Sequence, residues 1–385
     1  MARTIKKTKP DYDQIACCFQ GGGALGAYQV GILRALDERG YYPDWFAGTS
    51  IGAINAAIAA GNDEKVRIEK MGQFWEKIAT PNLIDPSFLP DDFGSRQIQH
   101  LIAAQSALFL GQPGFFSPRI PPIIPGYETT PDQLSYYDTS QLKSTLEAFI
   151  DFDRINSTST RLSLGAVEVC SGEIEYFDSL KCKIGPEHIM ASGALPPGFP
   201  AIEVDGKYYW DGGLSSNSPA TYVLSAQHGS QKLLCFAIHL FDSYGLQPKT
   251  IDDVMMRKKD IEFSSRFSKT IQLHKEIHEL KSSIHLLSQF VPPKERENPE
   301  ISRCIHRGCE STIDVVRFLY AQDDSELNSK DYEFSNKSIA ERMDRGYRDG
   351  VSAIKKSPWL APVSQTTGIA LYDMSPEQHL QEATP

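Results

Sequence analysis

The chain lacks a long hydrophobic run. Its longest weakly polar stretch, residues 51–61, is too short to cross a lipid bilayer. The basic residues at the N-terminus lead into Asp11 and Asp13 rather than into an apolar segment, which argues against a secretory signal. We therefore expect no signal peptide and no transmembrane segment, and a cytoplasmic location with at most peripheral contact to a membrane.

Excess positive charge and a metal-binding cysteine pattern are also missing. With 39 basic and 49 acidic residues the net charge is −10, so no nucleic-acid partner is expected, because affinity for phosphates comes mostly from Lys and Arg. None of the seven cysteines belongs to a Cys-x-x-Cys pair, and the segment Cys304–Cys309 offers too few ligands to predict a metal site. Apolar residues at 41% and charged residues at 23% are typical of an ordinary globular protein.

The first part of the chain alternates between predicted strands and helices. Ile15–Gln20 is a short apolar run that predicts a buried strand, and the glycines at 21–23 end it before a helical pattern. Trp45–Gly48 predicts a second strand, followed by a helix that begins at Ser50 and ends at Gly61. This order predicts an α/β protein with a parallel sheet covered by helices.

The remainder of the chain divides by composition. Residues 81–131 form an excursion rich in proline and phenylalanine, which either moves as a lid or packs over the core. From about residue 246 the chain is charged and mainly helical, with an apolar stripe that could pack on the first domain, close a homo-oligomer or dock a partner protein. These changes predict four parts: a basic tail (1–12), an α/β domain (13–245), a mainly helical C-terminal extension (246–365) and a loosely ordered tail (366–385).

Gly48, Ser50 and Gly52 form a Gly-x-Ser-x-Gly motif between the second predicted strand and its helix. In a nucleophile elbow, this pattern places the serine on a sharp turn that exposes its hydroxyl, and the glycines allow close packing. The alternative is that Ser50 only caps the helix. Because a strand precedes the motif and a helix follows it, the sequence favours Ser50 as a nucleophile.

The second candidate is a glycine-rich turn at the start of the first helix, with the sequence Gly21-Gly22-Gly23-Ala24-Leu25-Gly26. Backbone N–H groups at such a helix start can bind an anion. Two functions fit the turn: an oxyanion hole for acyl transfer, or the pyrophosphate site of a nucleotide-binding oxidoreductase, for which Asp44 is suitably spaced. The turn alone does not decide between them, but a serine nucleophile on the next strand needs an oxyanion hole beside it.

The third candidate is Asp211, which is followed by Gly212 and Gly213. Its carboxyl could act as a base for Ser50, although most Asp-Gly pairs simply form a turn. An ordinary Ser-Asp-His triad is a further alternative, because three histidines follow in the chain: His228, His239 and His274. The usual fold of such enzymes places several strands ahead of the serine, whereas only one strand–helix unit precedes Ser50 here.

Taken together, these residues resemble the patatin-like phospholipase family. Its members carry a glycine-rich oxyanion segment, a Gly-x-Ser-x-Gly motif and an Asp-Gly-Gly motif in the order found here: 21–26, 48–52 and 211–213. The resemblance covers about residues 13–240 and includes the small-residue segment 191–196. Family members often carry a charged residue just before the glycines, where this chain has Gln20. Residues 330–335 and 346–349 resemble the C-terminal extension of a bacterial subgroup.

The resemblance implies a fold and a chemistry. The fold would be a three-layer α/β/α sandwich with a mostly parallel central sheet. The activity would be hydrolysis of lipid carboxylic esters through a Ser50–Asp211 dyad and an acyl-enzyme, without a metal or cofactor. The oxyanion hole would involve Gly21, Gly22, Gly23 and Ala24, and the supporting motif positions would be Gly26, Gly48, Gly52, Gly212 and Gly213. A non-catalytic scaffold that kept this fold and binds a partner protein is the remaining alternative.

Overall fold

The computed structural model is an α/β protein built on one large sheet. It describes residues 11–80, 93–122, 126, 128–157, 160–226, 232–264, 267–322, 326–361 and 368–375. The strands are β1 (Gln14–Phe19), β2 (Trp45–Thr49), β3 (Ser117–Pro118), β4 (Tyr137–Asp138), β5 (Arg161–Glu168), β6 (Ile174–Asp178), β7 (Ile202–Val204), β8 (Lys207–Asp211), β9 (Lys232–His239), β10 (Thr312–Leu319) and β11 (Ile369–Asp373). The α-helices are α1 (Ala27–Glu38), α2 (Ile51–Ala60), α3 (Arg67–Ile78), α4 (Phe93–Leu110), α5 (Ser140–Phe149), α6 (Phe152–Ser157), α7 (Pro186–Ser192), α8 (Ala220–Ser225), α9 (Ile251–Phe263), α10 (Phe267–Ser288), α11 (Pro299–Ile305) and α12 (Asn336–Lys356).

Nine of these strands form the large sheet, and its centre is parallel. Strands β11, β10, β9, β1, β2 and β5 lie side by side in that order, each parallel to its neighbours. Strands β6 and β8 pair antiparallel with β5, and β7 pairs antiparallel with β8. A parallel sheet needs cover on both faces, which explains why β1, β2 and β9 are short apolar runs without an alternating polar face.

Two separate apolar clusters cover the two faces of the sheet. Along β1, Cys17 and Phe19 belong to the larger cluster, which includes residues of α1, α2, α3 and α12. Ala16 and Cys18 point the other way, into a smaller cluster with α8 and with Ile271 of α10. Alternate side chains of a strand lie on opposite faces, so the sheet is sandwiched between two helical layers. The expected three-layer sandwich with a mostly parallel sheet is confirmed.

The C-terminal segment continues the sheet. Strand β10 pairs with β9 along its whole length, and β11 pairs with β10. The expectation of a loosely ordered tail from residue 366 is therefore wrong for Ile369–Asp373, because β10 offers this segment a free parallel edge with which to pair. The division near residue 245 stays a prediction.

Glycines allow α12 to approach α1 closely. A Cβ atom at Gly346 would overlap the carbonyl oxygen of Tyr28, and one at Gly31 would overlap that of Met343. The Tyr28 hydroxyl then donates to a carboxyl oxygen of Asp349 at 2.9 Å. The motif at 346–349 thus attaches the extension to the helix that follows the glycine turn.

Much of the apolar surface of the helical regions stays exposed. In α10 the predicted stripe does not form one buried face, since Ile271 is buried whereas Leu273, Leu280 and Leu287 are exposed. Part of the excursion folds as α4, while residues 81–92, 123–125 and 127 lie outside the described part. No helix in the described part of the chain is both long and apolar enough to span a membrane.

Candidate active site

Ser50 lies on the sharp turn between β2 and α2. Its backbone has φ 58° and ψ −128°, a left-handed conformation that residues with a side chain rarely adopt and that is typical of functional turns. Its side chain makes no capping hydrogen bond to α2, so the simple helix-cap interpretation is not supported. Close packing explains the glycine of the motif, because a Cβ at Gly52 would overlap the carbonyl oxygen of Phe19.

A second serine fixes this turn from the opposite side. The backbone N–H of Ser50 donates to the carbonyl oxygen of Ser192 at 3.0 Å and lies 3.1 Å from its hydroxyl oxygen. The Ser192 hydroxyl in turn donates to the carbonyl oxygen of Gly165 at 2.6 Å. Ser192 ends α7 within the small-residue segment 191–196, which the sequence marked as similar to the family without indicating this contact.

The pairing of β5 brings Asp211 next to Ser50. One edge of β5 is occupied by β6, which pairs with both Gly165 and Ala166. On the other edge, Gly165 pairs with Thr49 at the end of β2, and the next residue, Ala166, pairs with Asp211 at the end of β8. Strands β2 and β8 therefore meet end to end on β5, which puts the two predicted site residues side by side.

Asp211 is buried next to Ser50. The backbone N–H of Gly213 donates to its carboxyl at 2.7 Å, and the Ser50 hydroxyl lies close enough to the same group to favour its charged form. Burial raises the pKa of Asp211 to about 6, because the charged form loses hydration, while Ser50 and the Gly213 N–H oppose that rise. A carboxyl with a pKa closer to neutral pH is a stronger base than an exposed aspartate.

The glycine turn passes directly beside Ser50. A Cβ added to Gly21 would lie 2.9 Å from the Cβ of Ser50. The N–H of Gly21 donates to Asn217 Oδ1 at 3.0 Å, and the N–H of Ala24 donates to the carbonyl oxygen of Asp331 at 2.8 Å. These two groups are therefore not free to bind an oxyanion, which corrects part of the sequence-based assignment.

The two remaining N–H groups of the turn are available. Within the described part of the chain, neither Gly22 nor Gly23 has a hydrogen-bond acceptor for its N–H. Gly23 has φ +54°, and a Cβ there would overlap the Asp331 carbonyl oxygen, so only glycine fits. Adjacent N–H groups at the start of a helix can bind negative charge. We refer to residues 21–24, where the sequence predicts an oxyanion hole, as the oxyanion turn.

Gln20 has a structural role before the oxyanion turn. Its side-chain oxygen accepts the N–H groups of Leu240 and Phe241 at 2.6 and 3.2 Å, and its amide donates to the Phe263 carbonyl oxygen at 3.0 Å. The uncharged amide at this position therefore joins β1 to the end of β9 and to α9.

The histidines do not complete a triad in the described structure. His239 lies 3.1 Å from the Ser218 hydroxyl through Nε2, and its Nδ1 accepts Arg317 Nε at 3.2 Å. Burial and the Arg317 charge hold the pKa of His239 well below its usual range. His274 lies on α10, and His228 lies outside the described residues.

Asp44 does not support the dinucleotide alternative. It precedes β2, and its side chain accepts the N–H of Ile15 at 3.3 Å, at the start of β1. The glycine turn lies at the other end of β1. In a dinucleotide site the acidic residue lies on the same edge of the sheet as the glycine turn.

The described residues include no group of three or more His, Cys, Asp or Glu side chains arranged to hold a metal ion. Cys304 is exposed and Cys309 is half-buried beside Ser311, with their sulfur and oxygen atoms 2.9 Å apart.

The fold and the site define an α/β sandwich protein with a strained serine turn facing a buried aspartate and a glycine turn. The family model described as patatin-like phospholipase matches residues 17–224, and a second model, described as patatin phospholipase, matches residues 261–366. The chain belongs to the patatin-like phospholipase family. The first match contains Ser50, Asp211 and the three glycine motifs of the candidate site.

Curated relatives match over short segments. Patatin-like phospholipase domain-containing protein 6 of Homo sapiens is 36% identical over 72 residues, which are 19% of this chain and 5% of that protein. Lysophospholipase nte1 of Aspergillus terreus is 44% identical over 63 residues, 14% of this chain and 4% of that protein. The chain thus spans only about one twentieth of the length of these relatives.

Two solved structures are similar over most of the chain. VipD from Legionella pneumophila has a TM-score of 0.37 and 14% identity, covering 90% of this chain and 67% of that one. The human GIVD cytosolic phospholipase A2 has a TM-score of 0.37 and 10% identity, covering 90% of this chain and 60% of that one.

Proposed function

We propose that this protein is a serine hydrolase that cleaves carboxylic esters of lipids. The observation that carries the proposal is the position of Ser50, which lies on a strained turn next to the buried Asp211 carboxyl and beside the oxyanion turn. Family membership and the names of the relatives, a phospholipase and a lysophospholipase, support an acyl ester as the substrate.

In the proposed reaction, Ser50 Oγ attacks the acyl carbonyl carbon and its proton passes to Asp211. The carbonyl oxygen becomes negative and accepts hydrogen bonds from the N–H groups of Gly22 and Gly23. The tetrahedral intermediate collapses, and the alcohol leaves with the proton from Asp211. Water then attacks the acyl-enzyme while Asp211 takes its proton. The second tetrahedral intermediate collapses and releases the fatty acid, and the proton on Asp211 returns to Ser50 Oγ, which restores the free enzyme.

A lipid substrate also agrees with the surface of α4. Residues 97–118 contain no Asp, Glu, Lys or Arg, although charged residues make up 23% of the chain. Leu101, Phe109 and Leu110 are exposed on α4 and line a groove of about 430 Å³. His100 attaches the helix near the site, since its Nδ1 lies 3.4 Å from Glu333, close in sequence to Asp331. We propose that this face contacts a lipid surface, giving the protein a peripheral membrane association.

The direct test is an ester-hydrolysis panel of short- and long-chain esters, phospholipid and lysophospholipid. Wild type, Ser50→Ala and Asp211→Ala are compared, with Ser144→Ala on the exposed face of α5 as the matched serine control. We expect hydrolysis by wild type and Ser144→Ala, and loss of about 10²-fold or more in the two site variants. Hydrolysis that survives Ser50→Ala would reject the mechanism. A wild type with no hydrolysis on any ester would favour the non-catalytic scaffold.

His239→Gln separates the dyad from a triad. Glutamine keeps one donor and one acceptor for the contacts to Ser218 and Arg317, so a dyad enzyme keeps its activity within a few-fold. An enzyme that uses His239 as its base would instead lose about 10²-fold or more.

A further inference from the structure

We propose that Asn217 and the backbone carbonyl of Asp331 hold the two ends of the oxyanion turn. The C-terminal segment, which contains Asp331, then helps to orient the N–H groups of the active site. Asn217 is a positioning residue in this scheme, because it acts through the turn and does not touch the substrate. The proposal rests on the proposed hydrolase function.

Asn217 binds both backbone groups of Gly21. Its Nδ2 donates to the Gly21 carbonyl oxygen at 3.0 Å, and its Oδ1 accepts the Gly21 N–H at 3.0 Å. Nδ2 also donates to the carbonyl oxygen of Phe263, the last residue of α9, at 3.0 Å. The side chain is 3% exposed, so these bonds are shielded from water. A buried amide with all these partners fixes the position of the backbone to which it is bonded.

Asp331 holds the other end of the turn. Its carbonyl oxygen accepts the N–H of Ala24 at 2.8 Å and fills the space beside Gly23. Its own carboxyl is held by Lys259 Nζ at 2.6 Å, and the same ammonium donates to the Asn328 carbonyl oxygen at 2.7 Å. Asp331 lies within residues 261–366, which the second family model matches, and Lys259 lies just before them. The C-terminal segment therefore supplies a direct contact to the oxyanion turn.

The two contacts together decide which N–H groups are left for the substrate. With Gly21 and Ala24 bonded within the chain, only the middle pair, Gly22 and Gly23, can meet a developing oxyanion. Oxyanion donors are effective when they are oriented before the reaction, since no reorganisation is then needed in the transition state. A turn released at one end would lose that orientation while Ser50 and Asp211 stay in place.

Asn156 offers a matched control for Asn217. Its Nδ2 donates to the carbonyl oxygens of Phe152 and Ile184, and its Oδ1 accepts the N–H of Ile184 at 2.8 Å. This is the same set of three bonds as at Asn217. Asn156 lies in the last turn of α6 and attaches the chain just before α7, away from the oxyanion turn. Asn156→Ala therefore measures the structural cost of losing such a side chain.

The experiment measures ester hydrolysis and the binding of a trifluoromethyl ketone that carries the acyl chain of the best ester. Attack by Ser50 on the ketone forms a C–O bond and places negative charge on the former carbonyl oxygen, while the proton passes to Asp211. We expect Asn217→Ala to lower kcat/KM by about 10- to 100-fold and to weaken ketone binding by a similar factor, with little change in KM. Asn156→Ala should leave both within about twofold of wild type, because it removes no group from the site.

Equal effects of the two asparagine variants, or unchanged ketone binding in Asn217→Ala, would overturn the proposal. If Asn217→Ala does not fold, Lys259→Met tests the contact from Asp331 to Ala24, because Lys259 holds the Asp331 carboxyl. Lys207→Met, at an exposed lysine, is its control. We expect a loss of about 3- to 10-fold in kcat/KM for Lys259→Met and none for Lys207→Met; identical activities would count against the role of Asp331. A wild type that hydrolyses no ester would contradict the proposed function itself. The outcomes above would contradict only the roles of Asn217 and Asp331.

Discussion

Replacing Asp211 by asparagine should inactivate the protein and at the same time stabilise it. Burial raises the pKa of this carboxyl from 3.8 to about 6. Between these values the folded protein binds more protons at this position than the unfolded chain does, so the free energy of unfolding falls as the pH rises through this window. A shift of about two units at about 1.4 kcal/mol each gives a penalty of about 3 kcal/mol, fully present above pH 6.

Asparagine cannot ionise, so Asp211→Asn removes the penalty. Its Oδ1 can still accept the N–H of Gly213, and its Nδ2 can donate to the Ser50 oxygen. We expect the variant to be more stable than wild type by up to about 3 kcal/mol at pH 8 and nearly equal to it at pH 4. Hydrolysis should fall by about 10²-fold or more, since an amide is not a base.

Thermal and denaturant unfolding at pH 4 and pH 8 measure this difference. Asp178→Asn is the contrasting control, because that buried carboxylate is paired with Arg161 and accepts the Ser163 hydroxyl at 3.0 Å. Breaking a buried pair leaves a charge without its partner and should destabilise by about 3 kcal/mol or more. If Asp211→Asn were less stable than wild type at pH 8, or still hydrolysed esters, the assignment of a buried, ionised base would be wrong.

Three further outcomes are expected. In a pH series, kcat/KM of wild type should fall below about pH 6, where Asp211 becomes protonated; a constant rate down to pH 4.5 would contradict its role as a base. Gly52→Ala should lower the free energy of unfolding by about 2 kcal/mol or more, because the new Cβ overlaps a backbone carbonyl. Gly72→Ala, whose Cβ meets open space on α3, should raise it by up to about 1 kcal/mol, and chemical denaturation measures both values. Leu101→Gln with Phe109→Gln should lower hydrolysis in lipid vesicles about tenfold and leave a soluble short-chain ester unaffected; equal losses on both substrates would mean that α4 supports the fold instead.

The local parts of the site could be predicted because each depends on neighbouring residues. A short apolar strand followed by glycines and a helical pattern sufficed for the turns at 21–26 and 48–52. Placing Asp211 beside Ser50 needed the order of motifs known from the family. Nothing local in the sequence says that β2 and β8 meet end to end on β5, which is what brings the two residues together.

The contacts that hold the oxyanion turn could not be predicted from local patterns. Asn217 and Asp331 reach Gly21 and Ala24 from distant parts of the chain, and one of the two contacts uses only a backbone carbonyl. A carbonyl group carries no sequence signal. The strand Ile369–Asp373 was missed for a related reason, since its order comes from pairing with β10 and not from its own composition.

The central claim is that Ser50 is a nucleophile activated by Asp211. Labelling with a long-chain fluorophosphonate, followed by intact mass and peptide mapping, tests it most directly. The account predicts one adduct per chain, on Ser50, which is absent in Ser50→Ala and forms at least about 10²-fold more slowly in Asp211→Asn. An adduct on another residue, or labelling of Asp211→Asn at the wild-type rate, would contradict it.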